Sequence, residues 1–224
     1  MNDITTKPLA LVTGASRGIG AATAVALAAA GHHVIITARK DKDLEVTDDL
    51  INQAGGTATI APFDLTDTPA IERLATALAS RWGRLDVLVL NAGQLGSLAP
   101  VPHLDKKDWD RVIAVNLTAN WHLIRVLDPL LRRAPAADVV ALTSSVGSEP
   151  RAYWGAYAAS KAALENLIAT YGQEVAPVTA IRTHIIDPGA TRTAMRARAF
   201  PGEDPSTVKP PEDVAATILA ALAR

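Results

Sequence analysis

The sequence predicts a single α/β domain built as a doubly wound parallel β-sheet flanked by helices. Three observations carry that prediction. Short β-branched runs alternate with longer helical stretches from one end of the 224 residues to the other. Most of these runs are compactly apolar, as expected for strands covered on both faces. A glycine-rich turn, Thr13-Gly14-Ala15-Ser16-Arg17-Gly18-Ile19-Gly20, joins the first run to the first helical stretch.

The elements follow in order. Strand Leu9–Thr13 enters the glycine-rich turn, and the helix after it, Ile19–Ala30, is alanine-rich and stops at Gly31. Strand His33–Ala38 is followed by helix Asp43–Ala54, which stops at Gly55. Strand Thr57–Phe63 leads to Asp67-Thr68-Pro69, an N-cap with proline in the first turn of helix Pro69–Trp82. Strand Leu85–Leu90 precedes a long helical stretch, Lys107–Arg133. Strand Asp138–Thr143 precedes helix Trp154–Val175, and Val178–Ile186 is the sixth strand. From Ala190 to Pro211 the rhythm breaks. This segment is rich in Pro, Arg and Thr, and no regular element is expected before a closing helix, Pro211–Ala223. Its place after the last strand suits a lid or binding loop, because ligands of open α/β sheets sit beyond the carboxyl ends of strands. A disordered connector is the plainer alternative. There is no internal repeat, low-complexity tract or domain linker.

Composition narrows the function. Hydrophobic residues make up 49%, enough for a sizeable core. A formal net charge of -1 gives no electrostatic case for nucleic acid or an acidic membrane surface. Without cysteine there is no disulfide, thiolate metal site or thiol catalysis, which fits a reducing cytoplasm. Met1 to Pro8 is short and polar, unlike an export leader, and Ala21 to Ala30 is too short to span a bilayer. A soluble cytoplasmic protein is expected. The five histidines lack metal-ligand spacing and no carboxylates cluster, so no metal is expected.

Two motifs carry chemistry. Glycines let the backbone turn sharply and approach a pyrophosphate, while a helix N-terminus offers free N–H groups and partial positive charge to that anion. A glycine-rich βα turn with no ligand is the bland alternative. Tyr157-Ala158-Ala159-Ser160-Lys161 puts a tyrosine and a lysine four apart on one helix face. A free phenol is a poor acid–base group at neutral pH, and a neighbouring ammonium favours the phenolate. Taken alone, such a pair is also common on solvated helices.

The TGxxxGxG spacing of residues 13–20 resembles the short-chain dehydrogenase/reductase family. So do Asn91-Ala92-Gly93 after the fourth strand and Pro188-Gly189-Ala190-Thr191-Arg192-Thr193 after the sixth. The matches run nearly the whole chain. They imply a Rossmann-like fold and an oxidoreductase that moves hydride between a nicotinamide and an alcohol/carbonyl pair. By this resemblance Tyr157 is the acid–base group and Lys161 holds the nicotinamide ribose. Ser144, thirteen residues before Tyr157, holds the substrate oxygen, and Asn116 supports a water relay to the lysine. Asn116 could instead be a local helix perturbation. Ser145 ends the same strand but faces the other way, towards the pocket edge or the cofactor. Thr13, Gly14, Ser16, Arg17, Gly18, Ile19 and Gly20 line the cofactor with Asn91, Ala92 and Gly93. Thr193, Pro188 and Gly189 anchor its carboxamide, and Asp64 and Leu65 flank adenine, although Asp64 could simply cap a turn.

NADP(H) is the preferred cofactor, with NAD(H) possible. Ala38 stands where an NAD site carries an acid, and Arg39 and Lys40 follow it. Arg39 and Arg17 suit a 2′-phosphate, although either could be a solvated surface charge. Gln94 to Leu104, Glu149 to Trp154 and the lid frame a pocket for a small carbonyl or alcohol substrate. Trp154, Met195 and Phe200 form its expected apolar wall. Arg192, Arg196 and Arg198 either attract an anionic substrate group or pack on the loop. Nothing after the closing helix supplies the family's seventh strand, so about six main strands are expected. The resemblance implies a homodimer, with a homotetramer as the alternative. Two other readings compete: a redox sensor or scaffold on the same fold, and an epimerase or dehydratase with tightly held cofactor.

Overall fold

The computed structural model describes residues 4–223. Residues 1–3, the start of the polar segment Met1 to Pro8, lie outside the described residues. The strands are β1 (Leu9–Thr13), β2 (His33–Thr37), β3 (Thr57–Ile60), β4 (Val87–Leu90), β5 (Ala137–Leu142) and β6 (Ile181–Ile186). They form one six-stranded sheet in the order β3-β2-β1-β4-β5-β6, with every pairing parallel. The order reverses between β1 and β4, which opens a crevice at their carboxyl ends. The helices are α1 (Gly18–Ala29), α2 (Asp41–Gln53), α3 (Thr68–Arg81), α4 (Lys106–Ile113), α5 (Ala119–Leu131), α6 (Gly155–Val175), α7 (Ala194–Ala199) and α8 (Pro211–Leu222).

The period-2 geometry of strands sorts the core into two layers. Leu9 and Leu11 of β1 pack with Leu123 and Leu127 of α5 and with Leu164 and Ile168 of α6. Ala10 and Val12, pointing the other way, pack with Leu27 of α1, Leu44 of α2 and Ile218 of α8. The central strands β1 and β4 are therefore buried throughout, while the edge strands β3 and β6 are mostly half-buried.

Three expectations are corrected. The long helix Lys107–Arg133 is α4 and α5 joined by a π-helical turn, Ala114–Thr118, in which the Ala119 N–H bonds back to Ala114. Strand β6 begins at Ile181 rather than Val178, because Thr179 caps the end of α6 through Val175 and receives the Ile181 N–H. The segment Ala190 to Pro211 is ordered rather than irregular. Thr193 caps α7 by accepting the Arg196 N–H at 3.1 Å, and Thr191 pairs with Lys209 across the segment. Among the described residues, no helix is long and apolar enough to cross a membrane, and no group of three or more His, Asp or Glu side chains could hold a metal ion.

Candidate active site

The turn between β1 and α1 is shaped from both sides. The Thr13 hydroxyl donates to the Val89 carbonyl at 3.2 Å and accepts the N–H groups of Asn91 and Ala92, each at 3.0 Å. The Asn91 amide returns to the carbonyls of Thr13 and Gly14 at 2.8 and 3.2 Å. The side chains of Thr13 and Asn91 thus lock the ends of β1 and β4 together. Gly14 has φ +65, and a Cβ there would come within 2.9 Å of the Ala92 Cα. A Cβ on Gly20 would collide with the Gly14 carbonyl and the Asn91 amide. Thr47 of α2, which sequence reading missed, braces the loop by donating to the Ala15 carbonyl at 2.8 Å.

The N-terminus of α1 opens beside this turn with no side-chain cap and no acid in its first turn. Its first N–H groups and the partial positive charge they carry are available to an anion. Thr193 reaches the same place, since a Cβ on Gly18 would lie 3.3 Å from the Thr193 methyl. The carboxylate of Asp187 accepts the Gly189 N–H at 2.8 Å, and the Thr191 hydroxyl donates to the Pro188 carbonyl at 3.0 Å, so the segment after β6 is fixed where it meets the crevice.

Arg17 and Arg39 are exposed. At Asp64, burial pushes the carboxyl up, but hydrogen bonds from the Thr66 backbone and side chain outweigh it. With Arg111 and Arg39 nearby, the carboxyl is held below its usual value. Asp64 therefore also closes a local turn, as its alternative reading expected.

Beyond β5, Ser144 has an extended backbone and precedes a single 3-10 turn, Ser145–Gly147. Tyr157 and Lys161, one helical turn apart on α6, are 8% and 3% exposed. The Lys161 Nζ donates to the Leu142 carbonyl at 2.6 Å, and Ser144 hydrogen-bonds the Tyr157 phenol. Burial pushes Tyr157 up to about 12, helped by the negative charge of Asp187 and opposed by the Ser144 bond. Burial lowers Lys161 to about 8, against Glu165 and Asp187. A neighbouring positive charge favours phenolate, and the sequence shows that charge but not the burial. At Tyr157 desolvation is the larger effect.

Asn116 lies in the π-helical turn and is fully buried. Its Oδ1 accepts the Gln94 N–H at 2.7 Å, while its Nδ2 donates to the Gln94 carbonyl at 2.9 Å and to Ser160 at 3.0 Å. Its own carbonyl accepts the Asn120 amide at 2.7 Å. Gly93 sits between them, since a Cβ there would lie 3.5 Å from Asn116 Oδ1 and 3.8 Å from Lys161 Nζ. Asn120 and Asp187 went unnoticed in the sequence, Gln94 was expected only in the pocket frame, and Ser160 was given no role within the Tyr157–Lys161 motif. For Asn120 a signal existed, four residues on from Asn116 and hence on the same helix face.

The family model for short chain dehydrogenase matches residues 8–204. The chain belongs to the short-chain dehydrogenase/reductase family. It is similar to the oxidoreductase YciK of Escherichia coli K12, 38% identical over 215 residues that cover 95% of this chain and 84% of the relative. It is also similar to the D-beta-hydroxybutyrate dehydrogenase of Rhizobium meliloti, at 30% identity over 87% of this chain and 75% of the relative. A solved short chain dehydrogenase from Shigella flexneri 2a, complexed with NADP, superposes with a TM-score of 0.92 at 37% identity, covering 97% of this chain and 91% of its own. This short-chain dehydrogenase/reductase is thus an oxidoreductase with a six-stranded Rossmann-like sheet.

Proposed function

We propose that this oxidoreductase prefers NADP(H) and interconverts a small alcohol and its carbonyl, with Tyr157 as the acid–base group. The observation that carries this reading is the convergence of Ser144, Tyr157 and Lys161 at the carboxyl end of β5, in the same open sheet whose β1 ends at the uncapped N-terminus of α1. The glycine turn fits a dinucleotide, because Gly14 and Gly20 let it fold tightly against the end of β4 and bring the uncapped N-terminus of α1 to the crevice, where a pyrophosphate would sit. Residues 13–20, with Ala92, Gly93, Pro188, Gly189 and Thr193, would hold it, and Asp64 and Leu65 would lie beside the adenine. When bound, NADPH supplies the hydride that makes an alcohol from a carbonyl, and NADP+ accepts it in reverse.

The chain's own residues do the rest. Ser144 orients the substrate oxygen by hydrogen bonding. Tyr157, its proton held by burial, donates that proton to the oxygen in reduction and removes it in oxidation. Lys161, charged below about 8, offsets negative charge that develops on Tyr157 Oη. Asn116 holds the Gln94 backbone beside Lys161 and supports proton resupply to it.

The 2′-phosphate preference rests on Arg39 and Arg17, exposed at the ends of β2 and of the glycine turn, with Ala38 in place of an acid. The NADP complex of the Shigella relative supports it. The lack of cysteine suits a cytoplasmic enzyme, and a homodimer built on α5 and α6 is the assembly this reading favours. Calorimetric titration with NADPH and NADH tests the cofactor. Arg39→Asp should weaken NADPH binding about tenfold or more and NADH binding far less, through loss of one charge-assisted pair. Equal losses would remove Arg39 from the phosphate site. Tyr157→Phe should abolish turnover with cofactor affinity nearly intact, and retained turnover would refute its role.

A further inference from the structure

The hydride and proton chemistry says nothing of what else the substrate carries, but the surroundings of Tyr157 do. Leu95, Leu98, Val146, Trp154 and Met195 share one apolar cluster with Tyr157, brought from the exit of β4, the turn after β5, the start of α6 and the lid helix α7. Trp154 meets Tyr157 edge-on with centroids 5.9 Å apart, and Phe200 lies 5.9 Å from Trp154 in its turn. The backbone that aims Trp154 is strained. Tyr153, immediately before it, has φ +73, the only non-glycine residue with positive φ among the described residues. Its carbonyl is held there by the Ala99 N–H at 3.1 Å. For a bulky L-residue this conformation is unfavourable and persists only where its surroundings impose it.

Two of the lid's cations, Arg196 and Arg198, are engaged by polar groups of the protein itself. Arg196 binds Glu203 through two bonds of 2.6 and 2.5 Å, and its guanidinium lies 3.7 Å over the Phe200 ring. Arg198 donates to the Gly96 carbonyl at 2.7 Å, joining α7 to the loop after β4. Arg151 covers Phe200 and Trp154 at 4.8 and 5.6 Å. Lys161 is buried on the Leu142 carbonyl, and the neighbouring charge from the segment after β6 is the negative Asp187. An anionic group entering beside Tyr157 would lose hydration without gaining either of these two guanidinium groups. An apolar ring would meet aromatic and methyl surface on several sides.

We propose that the substrate is an uncharged carbonyl compound with an apolar, ring-sized body held against Trp154, Met195 and Phe200, and that Arg196 and Arg198 fasten the lid instead of binding an anion. This deepens the oxidoreductase reading and rests on it. Two probes built on the same benzaldehyde ring test it, 4-methylbenzaldehyde and 4-formylbenzoate, titrated calorimetrically into protein loaded with NADP+ so that no turnover is needed. The neutral probe should bind at least about tenfold tighter, since the carboxylate would be buried unpaired. Trp154→Ala should remove that advantage and Trp154→Phe, which keeps a ring, should restore most of it. Arg196→Gln should leave the ratio between the probes unchanged. Equal or tighter binding of 4-formylbenzoate, lost in Arg196→Gln, would overturn the proposal. So would failure of both probes to bind protein that still takes up NADP+. Failure to bind NADP+ itself would instead overturn the cofactor reading beneath it.

Discussion

Burial and charge oppose each other at Lys161. Its ammonium is enclosed and donates one bond to the Leu142 carbonyl, and burial brings its pKa from 10.5 to about 8. Between those two values the unfolded chain binds the extra proton more strongly than the folded protein does. Stability from this group therefore rises with pH from about 8 to 10.5. Tyr157 runs the opposite way: its folded pKa is raised from 10.0 to about 12, so its contribution is fully present below 10.0 and is lost as pH passes 12. At neutral pH the charged lysine costs stability, and Lys161→Met is expected to raise it by about 2 kcal/mol, less whatever the unpaired Leu142 carbonyl takes back. Urea denaturation at about pH 7 and about pH 9.5 measures this. The gain should shrink at the higher pH, where the wild-type lysine is already neutral. A variant less stable than wild type at pH 7 would mean that the bond to Leu142 outweighs the charge. Turnover should be lost in either case, so this residue's cost in stability serves function.

The α4–α5 junction shows a different kind of information. In the π-helical turn the Asn116 carbonyl accepts the side-chain amide of Asn120, one helical turn further on, at 2.7 Å. Asn120→Leu keeps the volume but removes this donor from the buried Asn116 carbonyl, an expected loss of about 1 kcal/mol. The turn also sets Asn116 against Gln94 and Ser160, so kcat should fall with KM for substrate little changed. Denaturation and steady-state NADPH oxidation together check this, and an unchanged kcat would mean the turn holds its shape without Asn120. Nothing in the local pattern of residues 107–133 announces the break, because its cause is tertiary: Asn116 is bonded to the backbone of Gln94 on the loop after β4. The same holds for α7, whose six residues are fixed by Glu203 and by the Gly96 carbonyl. By contrast, the central strands were legible because burial on both faces leaves continuous apolar runs. The glycine turn and the Tyr157–Lys161 pair were legible because each motif needs its spacing. The left-handed Tyr153 carried no sequence signal, since glycine or asparagine is the usual residue there.

Across the whole molecule, helices cover both faces of the sheet, yet the outer side of α5 is not covered in the monomer. Trp121 is 47% exposed there, with the Arg125 guanidinium 5.7 Å over its ring. Beside it a depression of about 330 Å³ runs from Leu65 and Ile71 to Ala114 and His122. A half-exposed tryptophan flanked by arginine, at the edge of an apolar hollow, has the composition of an interface centre rather than of a solvated helix face. A two-fold contact on α5 would place Trp121 near its copy and would brace two helices at once: α5, which continues from the turn holding Asn116, and α6, which carries Tyr157 and Lys161. Light scattering should accordingly give a dimer for the wild type, and Trp121→Glu should weaken association about a hundredfold or more. Because the catalytic helices would be steadied by that contact, specific activity should fall when either protein is diluted below its dissociation constant, at a higher concentration for the variant. A dimer that survives Trp121→Glu would put the interface elsewhere. A monomer with undiminished activity would show that α6 holds Tyr157 and Lys161 in place through its own packing against β5 and β6.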